Sequence, residues 1–199
     1  MIADFVAGLR HALLLLMLAM VFPIGAACAE VITGTERETG LKFWTWRFNG
    51  VTMQLVQRLP DQTRAFFLGR GFPADTADFI GRACVFQTIF RNDGKQPVAY
   101  DLNDWRVNYQ GERLSLRTRE VWDRQWQAQR INQAARIAFR WSLLPTRQRF
   151  EPGDYNWGMT SFGLLPGEQF DLSLVVSING ESVVGEIPAV LCSADLGDK

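Results

Sequence analysis

The stretch FWTWRFNGVTMQL, residues 43–55, predicts a β-hairpin and sets the expected fold class. Asn49-Gly50 is a preferred two-residue hairpin turn, because both central positions of that turn need a positive φ. Counting outward from the turn places six apolar side chains on one face of a sheet, in three cross-strand pairs: Phe48 with Val51, Trp46 with Met53, and Trp44 with Leu55. A half-buried antiparallel sheet follows from this pattern.

A second hairpin is predicted near the end of the chain, in FDLSLVVSINGESVVGEIPAVL, residues 170–191. Asn179-Gly180 is again the turn, and the strand before it alternates between apolar and polar residues. If the alternation continues without interruption, Cys192 faces away from the core. Pro188 can interrupt the pairing before the strand reaches Cys192. The same counting predicts that the returning strand buries Val183, Ile187, Ala189 and Leu191.

The residues between the hairpins predict more strands and two helical segments. Strands are expected at Cys84–Arg91, Trp105–Tyr109 and Ile137–Leu143, and helices at Asp61–Arg70 and Arg119–Ala135. The alternation assigns four tryptophans to the core: Trp44, Trp46, Trp105 and Trp141.

These elements predict a mainly β protein: an immunoglobulin-like antiparallel β-sandwich with short helical insertions. The spacing of strands and turns resembles that of bacterial extracytoplasmic immunoglobulin-like domains, a likeness of fold that implies no function. Residues 30–199 carry no repeat or linker-like stretch, so they are expected to form a single domain.

Residues 1–29 have the three parts of a signal peptide. A weakly basic start precedes the apolar run Ala12–Phe22, and Ala27-Cys28-Ala29 is a small-x-small cleavage site. Cleavage would leave Glu30 as the first residue and place the protein in the periplasm or outside the cell. Two alternatives stay open, both with membrane contact: a leader kept as an anchor, and a lipid on Cys28. Neither is favoured, because Pro23 and Gly25 argue against a stable membrane span and Gly25 also stands where a lipobox usually has leucine.

The composition argues against most catalysis. The only histidine is His11, inside the leader, so the rest of the chain has no imidazole for triad chemistry or for zinc. Residues 30–199 hold 20 basic and 20 acidic residues, a balance that does not indicate a nucleic-acid partner. No cofactor or metal ion is expected, and the protein is not expected to be an enzyme. Three carboxylate pairs remain open to acid–base chemistry: Asp75 with Asp78, Asp101 with Asp104, and Glu151 with Asp154.

Loss of Cys28 would leave Cys84 and Cys192 as an even pair outside the cytoplasm. Such a pair predicts a disulfide. The alternative is a copper(I) site made by the two thiolates with Met53 or Met159.

Candidate contact residues lie in the arginine-rich segment Arg136–Arg149 and in the aromatic stretch around Trp157. Arginine and tryptophan are common at protein interfaces, although the arginines could instead pair with the acidic last fifty residues. The predicted partner-binding residues are Arg136, Arg140, Trp141, Arg147, Arg149 and Trp157.

The sequence therefore predicts a non-catalytic exported protein that acts through protein–protein contact, as an accessory or assembly component of a periplasmic or membrane-bound complex. The alternative is a small-ligand or glycan-binding module that uses three tryptophans, Trp122, Trp126 and Trp157. Copper(I) handling by Cys84 and Cys192 is the second alternative.

Overall fold

The computed structural model describes residues 28–195, which form eleven strands and four α-helices. The predicted signal peptide lies almost entirely outside the described residues. The strands are β1 Glu30–Thr35, β2 Lys42–Phe48, β3 Val51–Gln57, β4 Val85–Asn92, β5 Val98–Asp101, β6 Arg106–Tyr109, β7 Glu112–Ser115, β8 Arg147–Phe150, β9 Tyr155–Ser161, β10 Gln169–Ile178 and β11 Glu181–Leu191. The helices are α1 Pro60–Leu68, α2 Ala74–Gly81, α3 Arg119–Ala128 and α4 Gln133–Ser142.

Two antiparallel sheets make the protein mainly β, as predicted. The first sheet has the order β1-β2-β3-β4-β9. In the second sheet, β10 pairs with β11 along one edge and with β5 and β6 along the other, and β8 and β7 extend those two strands. No helix within residues 28–195 is long and apolar enough to cross a membrane.

Side chains from both sheets share one buried core. Trp46 of the first sheet and Leu174 of the second belong to it, and both are fully buried. A separate buried cluster lies on the opposite face of the first sheet, where Val85 and Met159 pack with aromatic residues of the helical segments. The first sheet is therefore covered on one face by the second sheet and, at one end of the other face, by helices.

The first hairpin has the predicted register, with Trp46 opposite Met53 and Trp44 opposite Leu55. The second hairpin follows the predicted register only as far as Ile187, which is fully buried. The pairing then shifts by one residue, and Ala189 takes a φ of 55° and is exposed. The predicted burial of Ala189 is therefore wrong, and Val190 faces the core instead.

The predicted strand at Ile137–Leu143 is wrong, because these residues belong mostly to α4. Asn132 caps this helix by accepting a hydrogen bond from the Ala135 N–H at 2.8 Å. Helical spacing then buries Ala135 and Phe139, four residues apart, on one side. Trp141 points the other way and is 79% exposed, so its predicted place in the core is also wrong.

The predicted helix at Arg119–Ala135 is replaced by two helices. The first ends at Ala128, and the second begins at Gln133. Trp122 and Trp126 lie four residues apart on α3 and stack with their ring centroids 5.0 Å apart. Both are fully buried in the second cluster. The prediction that these two tryptophans are surface residues for a glycan is wrong.

Candidate functional site: a cationic tryptophan cleft

Cys84 and Cys192 form the predicted disulfide, with their Cα atoms 5.1 Å apart and 108 positions apart in the sequence. The bulge at Ala189 turns Cys192 inward, against the direction that strict alternation predicts, and the residue is buried. The bond uses both sulfur atoms, so neither cysteine offers a thiolate to copper(I) while the disulfide is formed. Within residues 28–195 there is also no group of three or more histidine, cysteine or acidic residues that could hold a metal ion.

Three of the four predicted partner-binding arginines make ion pairs with acidic side chains. Arg136 pairs with Asp123 at 2.8 Å on the helical layer, and Arg147 pairs with Asp101 at 2.5 Å in the second sheet. The third pair, Arg149 with Glu151 at 2.9 Å, is the only one of these that uses the acidic last fifty residues. Arg140 and Arg147 line a polar depression that also contains Glu120.

Two predicted contact residues from different elements come together in the fold. Trp141 on α4 and Trp157 on β9 line one cleft of about 590 Å³ between the helices and the uncovered part of the first sheet. Trp157 is 63% exposed. The cleft is lined by Arg58, Phe66, Arg70, Gln87, Ala138, Trp141, Ser142, Asn156, Trp157 and Met159.

Strand register explains the position of Trp157. It is paired with Ile89 across β4 and β9, and alternation puts both residues on the face opposite Phe90 and the core between the sheets. Tyr155 lies on the same face two residues earlier and is exposed, with the Arg91 guanidinium 5.4 Å from its ring centroid. Tyr155 and Trp157 thus form an exposed aromatic strip that leads into the cleft.

The position of Trp141 follows from how α4 ends. Leu143 forms a parallel bridge with Met159, and the Leu144 N–H donates to the Met159 carbonyl at 2.9 Å. These contacts fix the last turn of α4 beside β9. Gly158 permits the close approach, because a Cβ at that position would collide with the backbone of Leu144.

Arg58, Phe66 and Arg70 form the wall of the cleft that sequence reasoning missed. The Arg70 guanidinium carbon lies 3.2 Å from the centroid of the Phe66 ring, and that of Arg58 lies 5.6 Å from it. Arg70 also donates to the Phe66 carbonyl at 3.0 Å. No sequence signal marks these residues beyond one arginine before the predicted helix Asp61–Arg70 and another at its last position.

The two arginines differ from their neighbour Arg64 in electrostatic environment. Arg64 pairs with Asp61 and Asp78, whereas neither Arg58 nor Arg70 makes an ion pair with any residue in 28–195. Burial, together with the positive charge of Arg70, lowers the pKa of Arg58 below the ordinary arginine value. The cleft therefore presents a partly desolvated positive charge beside exposed aromatic rings.

Two of the predicted carboxylate pairs line depressions of their own: Asp101 and Asp104 in one, and Asp75 and Asp78 in another. Asp101 accepts hydrogen bonds from the backbone N–H of Asn103 and from Arg147, and Asp154 accepts one from the backbone N–H of Glu151. Asp78 pairs with Arg64. None of these carboxylates lines the tryptophan cleft. The arrangement in the cleft suits binding, since it offers rings and cations.

No protein family, curated protein or solved structure matches this chain.

Proposed function

We propose that this protein is an exported, non-catalytic binding protein that contacts a protein partner of the cell envelope through the tryptophan cleft. It would work in the periplasm or outside the cell as an accessory or assembly component of a larger complex, built on an immunoglobulin-like sandwich. The signal-peptide pattern of residues 1–29 and the lack of histidine after His11 support export and the absence of triad catalysis.

The observation that carries the proposal is the meeting of Trp141 and Trp157 in one cleft, each more than half exposed. Contact between water and a large aromatic side chain is unfavourable. Burying one such side chain in a partner stabilises a complex by about 1.5–3 kcal/mol. Tryptophan and arginine are the residues most enriched at the centres of protein interfaces. Both types line this cleft, with Tyr155 beside it.

Site-specific cross-linking in living cells tests this proposal. A photoreactive residue at position 141 or 157 should capture one and the same envelope protein. A photoreactive residue at position 184 is the matched control, since Val184 is 64% exposed on β11 of the second sheet. Capture of the same proteins from all three positions, or of different proteins from 141 and 157, would refute the cleft as the contact site.

Glycan binding is the second candidate function, and the same two tryptophans favour it. Flat indole rings at the sides of one cleft can stack on sugar rings, and the aromatic strip at Tyr155 would extend the contact. Titration with neutral oligosaccharides, followed by the indole N–H signals in nuclear magnetic resonance spectra, tests this function. Shifts of the Trp141 and Trp157 signals would support glycan binding. Spectra that stay unchanged at the highest sugar concentration would exclude it.

A further inference from the structure

Among residues 28–195, the cleft is lined by two guanidinium groups and by no carboxylate. This balance differs from that of three other depressions, each of which is lined by at least one carboxylate: Asp101 in the first, Glu120 in the second and Asp75 in the third. Like charges that face one depression repel each other unless an anion lies between them. The cleft therefore has the electrostatic character of an anion site that no carboxylate of residues 28–195 fills.

The state of Arg58 supports this interpretation. Its Nε atom is buried from solvent and has no hydrogen-bond acceptor within residues 28–195. A buried donor without a partner costs about 1–3 kcal/mol, and more when it is charged. Arg70 is held in place over the Phe66 ring and by its bond to the Phe66 carbonyl. An anion bound here would meet donors that are already positioned.

Each of the remaining polar side chains of the cleft donates a hydrogen bond within the chain. Ser142 Oγ donates to the Ala138 carbonyl at 2.8 Å, Asn156 Nδ2 donates to Gln148 at 2.6 Å, and Gln87 Nε2 donates to the Gly158 carbonyl at 3.4 Å. A neutral sugar needs many free hydrogen-bonding groups to replace its water. A cleft with two free cations and apolar walls suits an acidic group joined to an apolar one.

We infer that Arg58 and Arg70 bind a side-chain carboxylate of an acidic segment in the partner protein, while Trp141 and Trp157 pack against apolar residues of that segment. This inference rests on the proposed function and adds the chemistry of the partner. The planar guanidinium group matches a carboxylate with two parallel hydrogen bonds, which an ammonium group cannot do. The same geometry would accept the carboxylate of a uronic acid, so the experiment includes that source.

Isothermal titration calorimetry of the purified protein tests the inference with three probes: a short blocked peptide of glutamate and phenylalanine, its glutamine counterpart, and a uronate oligosaccharide. The glutamate peptide should bind most tightly and lose affinity at high salt. Arg58→Gln and Arg70→Gln should each weaken it about tenfold or more. Arg58→Lys keeps the charge without the paired donors and should recover only part of the affinity. Arg113→Gln removes an exposed arginine on β7 and is the matched control.

Arg70 is exposed, so its variant remains informative even if loss of Arg58 disturbs folding. Equal binding of the glutamate and glutamine peptides, or unchanged binding by Arg70→Gln, would overturn the inference. Binding of the uronate alone would also overturn it and would favour the glycan function. Cross-linking separates the two proposals: a partner captured from positions 141 and 157 in both wild type and Arg70→Gln would leave the proposed function standing without the carboxylate contact.

Discussion

Gly185 of β11 lies directly against the indole ring of Trp46 on β2, and a Cβ at position 185 would come within 2.5 Å of Trp46 Nε1. This contact joins the two sheets at the centre of their shared core. Trp46 is fully buried and has no room to retreat without moving its neighbours. Position 185 therefore requires glycine, because the indole ring of Trp46 fills the space that a Cβ would occupy.

Gly185→Ala is therefore expected to lower the free energy of unfolding by about 1–3 kcal/mol, the usual effect of adding a carbon to a full core. Chemical denaturation measures the change. Gly69→Ala is the matched control, since its Cβ would make only an ordinary contact at 3.5 Å and its φ of −63° suits alanine. Equal stability of wild type and Gly185→Ala would show that the sheets pack more loosely than described.

The disulfide between Cys84 and Cys192 ties the start of β4 to the end of the second hairpin across 108 positions. Constraining so long a loop in the unfolded chain is worth about 4.7 kcal/mol in the chain-entropy treatment. The double variant Cys84→Ala/Cys192→Ala should lose about 2–5 kcal/mol of unfolding free energy. Dithiothreitol should destabilise wild type by a similar amount and leave the double variant unchanged. A double variant as sensitive to the reductant as wild type would contradict this role.

Local sequence rules predicted the first hairpin fully and the second only in part. In β2–β3 the Asn49-Gly50 turn fixes every pair, because no irregularity interrupts the alternation. In β10–β11 the bulge beside Pro188 shifts the pairing by one residue, which exchanges the inward and outward faces of the chain beyond it. The direction of Cys192 depends on that bulge, and alternation alone could not give it.

The candidate site shows the same limit. The sequence identified Trp157 as exposed and Trp141 as a contact residue, but the alternation of residues 137–143 also assigned Trp141 to a buried strand. The short apolar pattern fits a strand and a helix equally well, and the cap at Asn132 with packing of Phe139 selects the helix. Arg58 could not be distinguished from Arg64 by sequence, because only the folded chain shows which arginine meets a carboxylate.

Tyr100 gives the protein an expected sensitivity to alkali. Burial raises the pKa of its hydroxyl well above the ordinary value of about 10, although the nearby Arg119 opposes the shift. Above about pH 10 the unfolded chain releases a proton that the folded protein keeps, so the free energy of unfolding falls as the pH rises. Its hydroxyl also has no hydrogen-bond partner within residues 28–195.

Tyr100→Phe should therefore reduce the loss of stability above about pH 10 and, at neutral pH, leave unfolding free energy within ~1 kcal/mol of wild type or above it. Denaturation curves on both sides of that pH measure the slope. Tyr155→Phe changes an exposed tyrosine and is the matched control. An unchanged slope in Tyr100→Phe would contradict the burial of an un-ionised hydroxyl.

Export can be checked by the intact mass of the protein recovered from the cell envelope. The expected chain begins at Glu30 and has the mass of a form with one disulfide, two hydrogens below the reduced chain. Ala29→Arg places a large charged residue at the cleavage site and should leave the precursor uncut. A diacylglyceryl mass on Cys28, or an uncut wild-type chain, would instead place the domain on a membrane.

The contrast between buried and exposed tryptophans gives a direct test of the helical layer. Trp126 is fully buried, stacked on Trp122 and in edge contact with Phe72 at a centroid distance of 5.5 Å. Trp126→Ala should lower the free energy of unfolding by about 3–5 kcal/mol, because it opens a cavity in that cluster. Trp157→Ala removes an exposed ring and should stay within about 0.5 kcal/mol of wild type.

Near-ultraviolet circular dichroism distinguishes the two variants in a second way. Trp126→Ala should lose the signal of the stacked indole pair, and Trp126→Phe should recover much of the stability, since a smaller ring still fills part of the space. Trp157→Ala should keep both signal and stability while losing the cross-linked partner expected at the cleft. If Trp126→Ala lowered the free energy of unfolding no more than Trp157→Ala does, the tryptophans of α3 would have to face solvent. Trp122, Trp126 and Trp157 would then again be candidates for glycan binding, as the sequence first predicted.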